Sequence, residues 1–161
     1  MKFLQMADPV RYARMTSAEL RETFLLEDLF TPGRIDLAYA DLDRAVIGSA
    51  VPTTSALTLE TQPELRAEYF LERRELGVLN TGGAGSVTVD GVTFDLEKLD
   101  CLYVGRGSKS ITFTSKSAST PATFYLLSYL AHKEYPTKMV KFADLKGLEL
   151  GSLETCNNRT F

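Results

Sequence analysis

Gly85-Ser-Val-Thr-Val-Asp-Gly-Val-Thr-Phe-Asp95 decides the fold class. Val87 and Val89 alternate with polar residues, and Val92 and Phe94 resume the alternation after Asp90-Gly91. A period of two residues sends neighbouring side chains to opposite faces of a strand. Asp-Gly between two such runs favours a type I′ turn, whose central residues both need positive φ, so this stretch predicts a β-hairpin.

Working outward, further short runs carry strand character. They are Ile35–Ala40, Ala45–Val51, Ala56–Glu60, Glu68–Glu72, Glu75–Asn80, Gly85–Val89, Val92–Asp95, Cys101–Val104, Ile111–Ser115 and Ala122–Tyr129. Many short strands separated by Gly-rich turns, without helices between them, point to an antiparallel sandwich or barrel such as a jelly roll. The aromatics Phe70, Phe94, Tyr103, Phe113, Phe124 and Tyr125 fall on these strands and are expected to fill its core. Before the strands, Thr16-Ser-Ala-Glu19 has the capping-box pattern, predicting a short N-terminal helix over Ser17–Glu27. Thr31-Pro-Gly-Arg34 reads as the turn out of it.

Bulk properties exclude several classes. At 161 residues, 44% hydrophobic and 24% charged, the chain suits one packed domain. A net charge of −3, with no basic cluster longer than Arg73-Arg74, argues against a nucleic-acid partner. No apolar run approaches the length of a membrane span, and the N-terminus has no apolar leader core, so a soluble cytoplasmic protein is expected. Cys101 and Cys156 do not form a disulfide framework and read as reduced thiols. Gly82-Gly-Ala-Gly85 lacks a Gly-Lys-Ser/Thr ending and precedes a hairpin, so turn geometry explains it better than phosphate binding.

Tyr69-Phe-Leu-Glu-Arg-Arg-Glu-Leu-Gly-Val78, followed by Asn80-Thr-Gly-Gly-Ala-Gly85, closely resembles the hallmark stretch of the 5-keto-4-deoxyuronate isomerase family. Further likenesses fall at Asp100–Gly107, Ala131–Lys138 and Asn158-Arg-Thr160, in the family's order. The resemblance implies two tandem cupin barrels per subunit and assembly into hexamers. It also implies interconversion of 5-keto-4-deoxyuronate and 3-deoxy-D-glycero-2,5-hexodiulosonate in pectin breakdown. The family's zinc ligands, three His and one Glu, belong to its C-terminal barrel. On this likeness residues 1–142 form an N-terminal cupin-type jelly-roll barrel with a helical lead-in. Residues 143–161, of weaker periodicity and without a closing strand, read as a linker toward a C-terminal cupin barrel outside this sequence. The implied partners are that C-terminal half, further copies of the subunit and a small uronate.

The cupin pattern can be tested slot by slot. If Glu75 takes the place of the cupin carboxylate, the two His positions fall near Glu68–Leu71, which reads Glu-Tyr-Phe-Leu. Ser110 stands where the third imidazole would be. A catalytic zinc takes three protein ligands, and the lone His132 cannot supply them, so no metal is expected in this half.

The remaining candidates carry two readings each. Glu72, Arg73, Arg74 and Glu75 suit either a substrate carboxylate or ion pairs at a subunit interface, the structural reading being preferred. Strand alternation sends Arg73 and Glu75 to one face and Glu72 and Arg74 to the other. His132 is the nominal acid–base residue, although a lone His is more often structural. Lys138 and Arg159 suit either an anionic sugar in a neighbouring barrel or plain solvation. The scaffold half of an isomerase is therefore the leading reading, and a non-catalytic sugar-acid-binding cupin module is the alternative.

Overall fold

The computed structural model describes residues 1–161. The lead-in contains β1 (Lys2–Leu4), α1 (Pro9–Tyr12) and α2 (Ser17–Phe24). The Thr16 hydroxyl accepts from Glu19 N, and the Glu19 carboxylate accepts from Thr16 N, so the capping box forms as expected. The helix ends at Phe24, three residues before the predicted Glu27.

After Gly33, at φ +79°, the strands begin. They are β2 (Ile35–Ala40), β3 (Ala45–Ala50), β4 (Leu57–Thr58), β5 (Arg74–Asn80) and β6 (Gly85–Val89). Then come β7 (Val92–Leu96), β8 (Cys101–Val104), β9 (Ile111–Ser115) and β10 (Phe124–Leu130). The chain closes with β11 (Lys138–Val140), β12 (Glu149–Leu150) and β13 (Arg159–Thr160). Asp90 at φ +47° and Gly91 at φ +86° make the primed turn between β6 and β7.

Two sheets face each other. The larger has the order β1-β2-β3-β10-β5-β8-β11, and the smaller β4-β9-β6-β7. All pairings are antiparallel except β1 with β2, giving a mainly β jelly roll with a short helical lead-in. The two sheets are not joined by a hydrogen-bonded ladder, so the expected barrel is an open sandwich. The crossing from β3 to β4 carries Pro52, which has no N–H to extend a ladder.

The core lies between the sheets. Val46, Val78, Leu102 and Leu126 of the large sheet meet Val87 and Ile111 of the small one, all at most 2% exposed. Phe113 and Phe124 touch across the gap with ring centroids 5.3 Å apart. Each such side chain stabilises the fold by about 1.5–3 kcal/mol on burial. Phe70 is buried here too, and Phe94 packs at its margin. Tyr103 and Tyr125 do not belong to this core: the alternation that turns Leu102, Val104, Phe124 and Leu126 inward turns them to the outer face.

Two other expectations are corrected. Residues 68–73 form turns, not a strand, because Phe70 and Leu71 are both buried and consecutive, which strand alternation forbids over one core. The tail is not strandless: β12 pairs with β13, and Leu148 and Phe161 exchange backbone bonds of 2.8 and 2.9 Å. No helix is long and apolar enough to cross a membrane.

Candidate functional site

The polar segment 72–75 sits where the turn after Leu71 enters β5. Its four side chains part company there. Glu72 is half-buried, accepts from Glu68 N at 2.6 Å and lies 3.3 Å from Arg73 Nε. Arg73 is 62% exposed, so that adjacent pair contributes little to stability.

Arg74 alone turns into the sandwich, on the same face of β5 as Leu76 and Val78. It is 4% exposed. Nε donates to Ser128 Oγ at 3.1 Å, and Nη2 donates to Ser128 O at 2.8 Å and Arg44 O at 2.7 Å. The Ser128 hydroxyl in turn donates to Glu75 O at 2.6 Å. No carboxylate faces this guanidinium, and burial pulls its pKa below the usual arginine value. It ties β5, β10 and the turn before β3 together by hydrogen bonds. Ser128 was not singled out from the sequence; the signal was one hydroxyl at an inward position of the apolar run Phe124-Tyr-Leu-Leu-Ser-Tyr-Leu130.

Glu75 points to the outer face, where its carboxylate accepts from Tyr103 OH at 2.8 Å. Burial first, then that hydrogen bond and the carboxylate's charge, push the Tyr103 phenol up to about 12. The position aligned with a cupin ligand therefore faces away from the sandwich interior. Lys138 lies on the same outer face, opposite Tyr103 on β11. His132 is exposed in the loop after β10. Arg159 lies on the tail hairpin, 5.5 Å over the Phe161 ring, with Nη1 donating to Asn157 O at 3.1 Å. The structure thus brings Glu75 and Lys138 to one face and separates Arg74, His132 and Arg159 from them.

Apolar side chains line the interior and do not suit a sugar acid. Nor do the residues fit a zinc ion: no three His, Cys, Asp or Glu side chains converge. Tyr69, Phe70 and Leu71 occupy the turn where imidazoles would be needed, and a serine, Ser110, stands at the third position. Of several open hollows outside the core, two sizeable ones adjoin the large sheet. One, of about 780 Å³, lies between the lead-in and β2, and both of its arginines are paired, Arg21 with Glu27 and Arg34 with Asp36. The other, of about 730 Å³, lies on the outer face around Gly77, Leu79, Tyr103 and Leu127.

Residues 29–160 match the KduI/IolB family. The chain belongs to that family. It is 52% identical over 154 residues to the 4-deoxy-L-threo-5-hexosulose-uronate ketol-isomerase of Formosa agariphila, covering 96% of this chain and 55% of that protein. The protein of the same name from Lachnoclostridium phytofermentans is 47% identical over 153 residues, covering 95% and 55% respectively. The chain therefore spans about half the length of the relatives it matches. A crystal structure of a Pseudomonas aeruginosa protein named for glyoxylate induction superposes with a TM-score of 0.50 at 12% identity, over 68% of this chain and 39% of that one. That likeness speaks for the fold alone.

Proposed function

We propose that this chain is the N-terminal scaffold and oligomerisation half of a 5-keto-4-deoxyuronate ketol-isomerase. The whole enzyme interconverts 5-keto-4-deoxyuronate and 3-deoxy-D-glycero-2,5-hexodiulosonate, a cytoplasmic step after pectin cleavage. The observation that carries this reading is the 52% identity to a relative of which the chain spans 55%.

The chemistry divides accordingly. Ketol isomerisation moves a proton between adjacent carbons and must stabilise an enediolate, which calls for a base and an electrophile. In this half the interior is packed, Arg74 is committed to Ser128 and Arg44, and His132 is alone on the surface. Zinc and its ligands belong to the other half of the subunit. This half contributes a rigid sandwich on which that half and further copies assemble, as a hexamer in the complete enzyme.

Metal analysis of the purified chain, followed by assay after mixing with a separately produced C-terminal half, tests this division. The expected result is less than stoichiometric zinc in the chain and turnover only in the mixture. Stoichiometric zinc bound by the chain itself would contradict it.

A further inference from the structure

The two outer faces of this sandwich are unlike each other. The small sheet presents Ser86, Thr88, Thr93, Asp95, Thr112 and Thr114. Their hydroxyls pair along the surface, Ser86 with Thr114 at 2.6 Å and Thr88 with Thr93 at 2.9 Å. That is the polar side expected of an antiparallel sheet facing water.

The large sheet has no such side. Over β2 and β3 the chain covers its own outer face: Leu4, Met6 and Leu26 pack on Ala38 and Ala40, and Phe30 N donates to Ser49 Oγ at 2.9 Å. Over β10, β5, β8 and β11 the only residues from outside these strands that line it are Tyr135 and Pro136 of the loop before β11. There the outward positions are Tyr125 and Leu127, Leu79, Cys101 and Tyr103, and Val140, none of them buried. A strand such as β10, apolar on both faces, is the pattern of a strand buried on both faces.

The bare half is self-complementary. A shallow hollow of about 730 Å³ lies here, with Gly77, Leu79, Leu127 and Tyr125 among the residues around it. In the ladders Leu127 pairs with Gly77 and Tyr125 with Leu79, so knobs and hole alternate on one surface. Its two charges have opposite signs. Glu75 sits on β5 and Lys138 on β11, and neither is in an ion pair within the chain. An in-plane two-fold axis passing beside Tyr103 sets Glu75 of each copy against Lys138 of the other, the isologous arrangement of a closed dimer.

We propose that this bare half-face of the large sheet is where a second copy of this chain docks, face to face. The inference rests on the oligomerisation reading above and names its surface. Four strands about 4.8 Å apart and three same-face rows about 7 Å apart give a footprint of roughly 400 Å² per copy. Burying roughly 800 Å² in all places the contact at the low end of specific interfaces, so the dimer dissociates on dilution.

Gly77 provides the test. A Cβ built there meets only Leu127 O, at 3.6 Å, and its φ is not positive. A side chain therefore fits the monomer and projects into the hollow. Sedimentation velocity over about a hundredfold range of concentration should show a monomer–dimer equilibrium in the unaltered chain. Gly77→Val should weaken dimerisation at least about 10-fold while melting no lower than the parent. Lys138→Glu, at an exposed strand position, should weaken it too, and adding Glu75→Lys should restore it. A chain that stays monomeric at the highest concentration overturns the proposal and leaves the face to another occupant. So does a dimer indifferent to both substitutions, although oligomerisation through another face would then still stand. Uronate turnover by the chain alone would sink the scaffold reading without touching the dimer.

Discussion

Arg74→Ala should destabilise the chain, because the guanidinium donates to three acceptors, on β10 and on the turn before β3. Arg44 O and Ser128 O each lose a donor from Nη2, and Ser128 Oγ loses the donor from Nε while keeping its own bond to Glu75 O. Each hydrogen bond lost contributes about 1 kcal/mol, and the void left by the buried stem adds to that. Removing a desolvated charge that has no carboxylate partner offsets part of the loss. The net expectation is about 2–3 kcal/mol. For a chain of this length each kcal/mol lowers Tm by about 2–4 °C, so the fall should be about 4–12 °C. Arg73→Ala, at an exposed side chain, should change stability by no more than about 0.5 kcal/mol. Thermal unfolding of both variants checks this. An Arg74→Ala protein that melts within about 2 °C of the parent would refute the claim that these three bonds hold the entry to β5.

Other expectations follow from the same geometry. Alkaline titration by tyrosine absorbance should find one of the seven tyrosines titrating near pH 12, and Glu75→Gln should draw it down. Because the folded-state pKa is raised, the associated stability is complete below the unfolded value of about 10 and is lost as pH climbs toward about 12. Denaturant unfolding at stepped pH would register that loss. Asn80→Ala should cost about 3 kcal/mol, since its amide donates to Gly83 O and Leu96 O and accepts from Gly82 N and Thr123 N. Urea denaturation measures it. Thr16→Ala should cost about 1 kcal/mol at the start of α2, visible as faster amide exchange over Ser17–Phe24.

Much of this fold was legible from alternation. The hairpin over Gly85–Asp95 could be read residue by residue because most of its polar positions face water while Val87 and Val89 face a core. The capping box was legible because it depends on residues three apart. The misread parts depend on longer-range neighbours. Tyr103 and Tyr125 read as core because an apolar outward position looks the same in sequence as an inward one. Residues 68–72 read as a strand because their propensity is local, whereas the turn is set by burying Phe70 and Leu71 together. The β11 edge strand and the β12–β13 hairpin are only three and two residues long, too short to show a period.

The polar segment divides in the same way. Alternation correctly separated Arg74 from Glu75, but it also paired Glu72 with Arg74 and Arg73 with Glu75. Strand geometry begins only at Arg74, so the rule did not reach the two residues before it. No sequence pattern announces that a serine 54 residues away will meet the arginine. Its partner is set by the β5–β10 register, in which Leu76 faces Ser128 and Arg74 faces Leu130.

The central claim is that this half of the subunit shapes the enzyme without performing its chemistry. Turnover of 5-keto-4-deoxyuronate by the purified 161-residue chain, assayed with zinc supplied, tests it most directly. The account predicts no turnover above the uncatalysed background. Zinc-dependent isomerisation by this chain alone would contradict it and would turn attention to His132 and the carboxylates of Glu68, Glu72 and Glu75.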